Sequence, residues 1–260
     1  MATSCCPEGS LPYLASDYSA KGTCVSAGAV DLYEAPVHGS PEHALILFSD
    51  IFGWNGSRLR SIADAFAMQG YLVVVPKMLT PALDGGCDGD ALPAGGAFDA
   101  EWLKQFPWPV QQPKVEAALE YLKGKGAAKI GVVGFCYGGH PACWLSATHA
   151  EIVCGAVLHP SMQLEEKLFG GSTEALLKSV KCPFFLAPAG NDLPLWAESG
   201  PLGAALKASS RGDECVFTEY PEMKHGWSVR GDLADPAVAR DVAAVLGEVS
   251  AFLSKHFSKM

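Results

Sequence analysis

The sequence predicts an α/β fold: one mostly parallel, doubly wound sheet with helices on both faces, held in a single domain. Three observations carry this expectation. Short β-rich runs are apolar throughout rather than alternating, as suits strands buried on both faces of a parallel sheet. The segments between them repeat apolar residues with helical period. The two kinds of segment alternate along the whole chain, whose 260 residues suit one large α/β domain.

In chain order, residues 1–22 read as an irregular N-terminal extension, and the folded domain is expected over 23–260. Strands are expected at Ala44–Ser49, Tyr71–Pro76, Lys129–Gly134, Cys154–His159, Pro183–Ala187 and Cys215–Tyr220. Helices are expected over Ser57–Gln69, where Leu59, Ile62, Ala63, Phe66 and Ala67 share a face, over Gln111–Lys123, over His140–Thr148, and over Pro236–His256. The segment Thr80–Pro113 breaks this rhythm. It holds Asp84-Gly85-Gly86-Cys87-Asp88-Gly89-Asp90 and Phe106-Pro107-Trp108-Pro109. Its length and Gly/Pro content point to a lid or binding loop. Its aspartates lack the glutamate that closes a calcium loop, so they read as a solvated turn.

Hydrophobic residues make up 49% of the chain and charged residues 18%, which leaves ample material for a core. The net charge of −9 disfavours nucleic acid and anionic membrane as partners, because both need a basic patch. No signal peptide and no membrane-spanning run is visible, so a cytoplasmic location is expected. The nine cysteines follow no framework spacing and are expected to be reduced thiols. Cys5-Cys6 could bind metal or be acylated, yet no Cys or His is spaced along the chain to complete a site. No metal and no organic cofactor is implied.

One turn stands out. The run Lys129–Gly134 ends in glycine and continues as Phe135-Cys136-Tyr137-Gly138-Gly139 before an apolar helix. Small residues two before and two after Cys136 let the chain reverse sharply and lift the thiol above the sheet edge. The Tyr137 amide points to the same spot, and the helix N-terminus adds positive partial charge. Both favour a thiolate and a developing oxyanion. The second oxyanion amide is expected from Ile51, in the loop after Ala44–Ser49. Asp50 is either a turn aspartate or a neighbour of the nucleophile; the sequence leaves both open.

A thiol nucleophile needs a base, and the base an orienting carboxylate. In strand–turn–helix hydrolases the chain order is nucleophile, acid, histidine. Asp192 follows the strand Pro183–Ala187 in Ala189-Gly190-Asn191-Asp192, and is the expected acid. His225 lies in the Pro/Gly-bounded loop before the last helix and is the preferred base. His159 ends a strand at the same sheet edge and competes, as a loop or pocket-wall residue. His149 lies near the end of the helix after Cys136, and His256 in a polar tail.

Together, Asp50-Ile51-Phe52-Gly53-Trp54, Gly134-Phe135-Cys136-Tyr137-Gly138-Gly139, Gly190-Asn191-Asp192 and His225-Gly226-Trp227 resemble the dienelactone hydrolase (carboxymethylenebutenolidase) family. The resemblance covers residues from about 25 to 256. It implies a single-domain α/β-hydrolase with a triad of Cys136, Asp192 and His225 and an oxyanion hole of Ile51 and Tyr137. It also implies that a carboxylate beside the thiol assists its activation. Bacterial members carry Glu there, whereas this chain carries the shorter Asp50. Those members grip the substrate carboxylate with two arginines; Arg230 matches one, while the loop Lys77-Met78-Leu79-Thr80-Pro81 offers only Lys77 for the other. Trp54 and Trp227, in the two matching loops, are expected beside the substrate.

The implied reaction is cleavage of a small ester or lactone through a thioester, by a monomer or weak homodimer. A thiolate favours activated acyl groups such as enol lactones. Two other readings compete. Some plant relatives with a similar Cys-Cys-Pro N-terminus carry a β-glucanase name; glycoside cleavage would need two carboxylates about 5–9.5 Å apart, with Asp50 and Asp192 as candidates. A non-catalytic ligand-binding protein of the same fold is the third.

Overall fold

A computed structural model describes residues 6–37, 42–86, 91–92 and 99–258. Cys5, Cys87, Asp88 and Asp90, singled out above, lie outside the described residues. The described strands are β1 (Thr23–Ala27), β2 (Val30–Glu34), β3 (His43–Phe48), β4 (Leu72–Pro76), β5 (Lys129–Phe135), β6 (Ile152–Leu158), β7 (Phe184–Ala187) and β8 (Val216–Phe217). They form one sheet in the order β1-β2-β4-β3-β5-β6-β7-β8. From β4 to β8 all neighbours pair in parallel, and β1-β2 and β2-β4 pair antiparallel.

The continuous apolar runs are explained by burial on both faces. In β3, Ala44, Ile46 and Phe48 face one hydrophobic layer, and Leu45 and Leu47 the other. Helices α1 (Leu59–Ala67) and α9 (Pro236–Ser258) cover the second face. The first is covered by α3 (Trp108–Gly124), α4 (Gly139–Thr148), α6 (Thr173–Ser179) and α7 (Pro201–Lys207). Short helices α2 (Ala100–Leu103), α5 (Leu164–Lys167) and α8 (Trp227–Arg230) lie in the connections. Among the described residues no helix is long and apolar enough to cross a membrane.

Four details differ from the sequence expectation. The edge hairpin β1-β2 was not foreseen. Helix α3 starts at Trp108 rather than Gln111, with Pro109 in its first turn, where its missing N–H costs no helical bond. The last strand shrinks to two residues. His256 is buried against Phe252 instead of lying in a polar tail.

The described part of the Thr80–Pro113 segment is packed rather than open. Ala91, Leu92, Trp102, Leu103 and Phe106 are all buried. The Leu92 amide donates to the Ile51 carbonyl at 3.0 Å, and the Trp102 indole to the Pro81 carbonyl at 2.9 Å. Residues 6–22 hold no helix or strand, as expected, yet they form a strap across the carboxyl edge of the sheet. The Leu11 amide donates to the His225 carbonyl at 2.9 Å, Asn191 Nδ2 to the Glu8 carbonyl at 2.9 Å, and the Gly22 amide to the Tyr33 hydroxyl at 2.8 Å.

Candidate active site

The carboxyl ends of β3, β5, β6 and β7 meet at one place. Cys136 follows β5 directly and has φ +53°, in the left-handed region. Such a conformation strains a residue with a Cβ and persists only where the surroundings enforce it. The two nearby glycines enforce it by close approach. A Cβ on Gly138 would lie 2.2 Å from the Phe48 carbonyl oxygen, and one on Gly134 would lie 2.5 Å from that of Gly138. The turn therefore packs backbone on backbone, and the thiol at its apex is fully buried. His159, following β6, is the second strained residue of this edge, with φ +41°.

The loop after β7 brings Asp192 to His225: Asp192 Oδ1 and His225 Nδ1 are 2.6 Å apart. The Asp192 carboxylate and the His225 backbone are each held by the loop after β7. Asp192 Oδ2 accepts from the Ala189 amide at 2.7 Å, and Asn191 Oδ1 from the His225 amide at 2.6 Å. Nδ1 so engaged leaves Nε2 as the nitrogen available to the Cys136 thiol. One ring nitrogen of His225, Cys136 Sγ and Cys6 Sγ all lie within 4.8 Å of one another. Burial alone would lower the His225 pKa. The charges of Cys136 and Cys6, with the bond to Asp192, outweigh it and raise the pKa well above the usual histidine value.

His159 stands at the same thiol, its ring 5.0 Å from that of His225. Its Nε2 pairs with the Ser228 hydroxyl at 2.7 Å. Ser161 Oγ is 3.4 Å from Cys136 Sγ, and Cys6 Sγ is 3.8 Å from it. Sequence reasoning placed none of Cys6, Ser161 and Ser228 at the site. The strain-prone strand ends could have pointed to His159, but nothing local in the sequence points to Cys6, which lies 130 residues from Cys136.

Asp50 ties the loop after β3 and lies near Cys136. Its Oδ1 accepts from the Phe52 amide at 2.9 Å, which makes it the turn aspartate of the loop after β3. Its Oδ2 pairs with Arg230 Nη1. Burial raises the Asp50 pKa against the pull of Arg230, with the nearby Cys136 adding to the rise. Arg230 also donates from Nε to the Leu11 carbonyl at 2.9 Å and lies over the Phe52 ring at 5.1 Å. Ile51 and Tyr137 are buried in the same layer as Cys136, and the Tyr137 hydroxyl donates to the Phe106 carbonyl at 3.2 Å.

The remaining substrate-binding candidates do not gather at the thiol. Trp54 and Trp227 are buried in the hydrophobic layer on the opposite sheet face, the Trp227 ring tilted against that of Tyr220 with centroids 4.5 Å apart. Both pack there with core residues of that layer. Lys77 lies over Trp54 at 5.4 Å and lines a hollow with Gly28, Asp31 and Thr80, beside the edge hairpin. Asp50 and Asp192 are both committed, to Arg230 and to His225, so the pair required for glycoside cleavage has no support.

A family model described as the dienelactone hydrolase family matches residues 30–257. The chain belongs to the dienelactone hydrolase family. It is 28% identical over 244 residues to the hydrolase TropI of Talaromyces stipitatus, covering 88% of this chain and 87% of that protein. It is 26% identical over 212 residues to a carboxymethylenebutenolidase homolog of Xenopus tropicalis, covering 81% and 80%. An esterase from Pyrococcus furiosus superposes with TM-score 0.61 at 15% identity, covering 95% of this chain and 97% of that one. This dienelactone hydrolase family member has the α/β-hydrolase fold, and it is an ester or lactone hydrolase that takes a small-molecule ester substrate.

Proposed function

We propose that this hydrolase opens its ester or lactone with a Cys136–His225–Asp192 triad through a thioester on Cys136. The sulfur attacks the acyl carbon, and the carbonyl oxygen becomes an oxyanion received by the amides of Ile51 and Tyr137. His225 passes its proton to the leaving alkoxide, while Asp192 holds the imidazole in one tautomer. His225 then takes a proton from water, which adds to the thioester and expels the thiolate. Arg230, already at the thiol with its Nη2 lacking a partner, is the anchor for a substrate carboxylate. Lys77, Trp54 and Trp227 have no part in this scheme.

The observation that carries the reading is the chain of contacts at one sheet edge: Cys136 at a strained turn, His225 within 4.8 Å, and Asp192 2.6 Å from His225 Nδ1. Cys136 is fully buried, with Cys6 of the strap against it. An acyl carbon therefore reaches the sulfur only when the strap lifts.

The test is hydrolysis of p-nitrophenyl acetate and of an enol lactone by the wild type and by Cys136→Ala. The expected loss in kcat is at least about 10³-fold, since removing a nucleophile removes the covalent route as a unit. Undiminished turnover by Cys136→Ala would overturn the mechanism.

A further inference from the structure

We infer that Cys6, Cys136 and His225 form a binding site for one soft divalent cation of the zinc class, and that its occupancy silences the hydrolase. The inference joins a strap residue to two residues of the proposed triad. The silencing rests on Cys136 being the nucleophile, whereas the binding does not.

Geometry is the first argument. Zinc binds thiolates at about 2.3 Å and imidazole nitrogen at about 2.0–2.1 Å, usually in a tetrahedron. Two sulfurs on one such ion stand about 3.8 Å apart, and a sulfur and a nitrogen about 3.6 Å apart. Cys6 Sγ and Cys136 Sγ are 3.8 Å apart. All three donor atoms lie within 4.8 Å of one another, so a shift of about 1 Å completes the face of a tetrahedron.

The imidazole and its carboxylate support are the second argument. His225 is fully buried, and with Nδ1 taken by Asp192 its Nε2 is the nitrogen left for the thiols. Its Nδ1 lies 2.6 Å from Asp192 Oδ1. A carboxylate on one imidazole nitrogen is the usual outer support of a metal-bound histidine: it fixes the tautomer and turns the other nitrogen's lone pair towards the ion. The arrangement that makes His225 a base thus also makes it a ligand.

Charge and hardness are the third. Two thiolates and a divalent ion sum to zero, so the buried site holds no net charge from the three donors and the ion. Binding expels two protons to solvent, the one Cys6 carries and the one that Cys136 and His225 share. Arg230 faces the same sulfurs, but its charge is met by Asp50. A donor set of two thiolates and one imidazole selects zinc over magnesium or calcium, which prefer oxygen. Along the sequence Cys6 has no partner at metal-ligand spacing; the strap supplies one by folding over the carboxyl edge. With the ion bound, the Cys136 sulfur lone pair and the His225 Nε2 lone pair are both spent on the metal, and neither attack nor proton transfer can proceed.

The test uses the full-length protein, stripped with EDTA, kept reduced with a phosphine, and titrated with zinc chloride against a chromogenic chelator. One zinc per chain is expected. Cys6→Ser should weaken binding by about 100-fold or more, since losing even an outer-shell partner costs about 10–100-fold. Cys6→Asp, which restores an anionic ligand, should recover part of that loss. Cys24→Ser, at an exposed cysteine, should bind as the wild type does. Cobalt in place of zinc should give a thiolate charge-transfer band that disappears in Cys6→Ser and in Cys136→Ala. Saturating zinc should cut p-nitrophenyl acetate turnover at least about 10-fold in the wild type, reversibly with chelator. Each variant is scored against its own zinc-free rate.

Equal zinc affinity in Cys6→Ser and wild type, or no stoichiometric binding by the wild type, overturns the site. Full turnover by zinc-loaded wild type overturns the silencing. A Cys136→Ala protein that still hydrolyses esters would instead remove the triad mechanism, and the binding result would stand apart from it.

Discussion

Two buried imidazoles stand 5.0 Å apart at the same thiol, and their protonation runs in opposite directions. His159, fully buried, has the neutral Ser228 hydroxyl as its partner; burial lowers its pKa to about 3, against the pull of Cys136. His225 is equally buried, but it has Asp192 on one nitrogen and two thiols near the other, and its pKa is raised well above the usual value. Depth in the protein is therefore not what separates a base from a neutral packing residue here. Desolvation is common to both; the charges of Cys136 and Cys6, joined by the bond to Asp192, decide for His225. His159 remains a neutral dipole held beside Cys136, while His225 is the imidazole that the proposed mechanism uses to move protons.

The largest expected effect comes from making His225 resemble His159. Asp192→Asn keeps the size of the partner and removes its charge. The expected fall in kcat/KM is about 10²–10⁴-fold, the range for losing general acid–base function or the correct tautomer. In the same variant the His225 pKa, followed by ring-proton NMR, should drop towards that of His159. A variant that lost activity with an unmoved His225 pKa would break the comparison, because the carboxylate would then be acting on something else.

Arg230 tests the charge around both rings. It lowers His159 by repulsion and pairs with the buried Asp50. Arg230→Met fills the volume and leaves Asp50 without its counter-ion. Breaking a buried pair from one side costs about 3–5 kcal/mol, so a clear drop in the denaturant midpoint is expected, followed by urea or guanidinium titration. Asp50→Asn in the Arg230→Met background should recover part of that loss. An unchanged midpoint would mean that the pair is hydrated and that its field on His159 is weak.

The comparison also explains what could be read from sequence. The parallel strands β3 to β7 were legible because strands buried on both faces leave unbroken apolar runs. The hairpin β1-β2 was not: β1 sits at the sheet edge with Thr23, Cys24 and Ser26 exposed, so no such run exists. Cys136, Asp192 and His225 were each visible as a residue following a strand in a Gly-bounded loop. The partners that tune them were not. Ser228 reaches His159 across 69 residues and Cys6 reaches Cys136 across 130, through segments with no periodicity. The packing of Trp54 and Trp227 was hidden for the opposite reason. They flank functional residues in sequence, yet the chain turns them into the layer beneath α1 and α9.

The smallest effect at neutral pH belongs to His159, and acid should enlarge it. Its folded pKa of about 3 lies below the unfolded value of about 6.5. Protons then bind the unfolded chain first, so the stability His159 contributes is complete above pH 6.5 and is lost as pH falls towards 3. At pH 4 the loss is at most about 3 kcal/mol. His225 has the opposite sign: with its folded pKa raised, its contribution is complete below pH 6.5 and is lost as pH rises through the folded value. His159→Gln keeps a hydrogen-bonding side chain near Ser228 and removes the titration. At pH 7 it should cost about 1 kcal/mol, the worth of one buried hydrogen bond. By pH 4 the gap between variant and wild type should reverse, because the wild type loses stability at this position in acid and the variant, which does not titrate there, does not. Denaturant midpoints at the two pH values measure this directly. Parallel curves for the two proteins would mean that His159 takes up its proton at the same pH folded and unfolded, and the contrast between the two imidazoles would be gone.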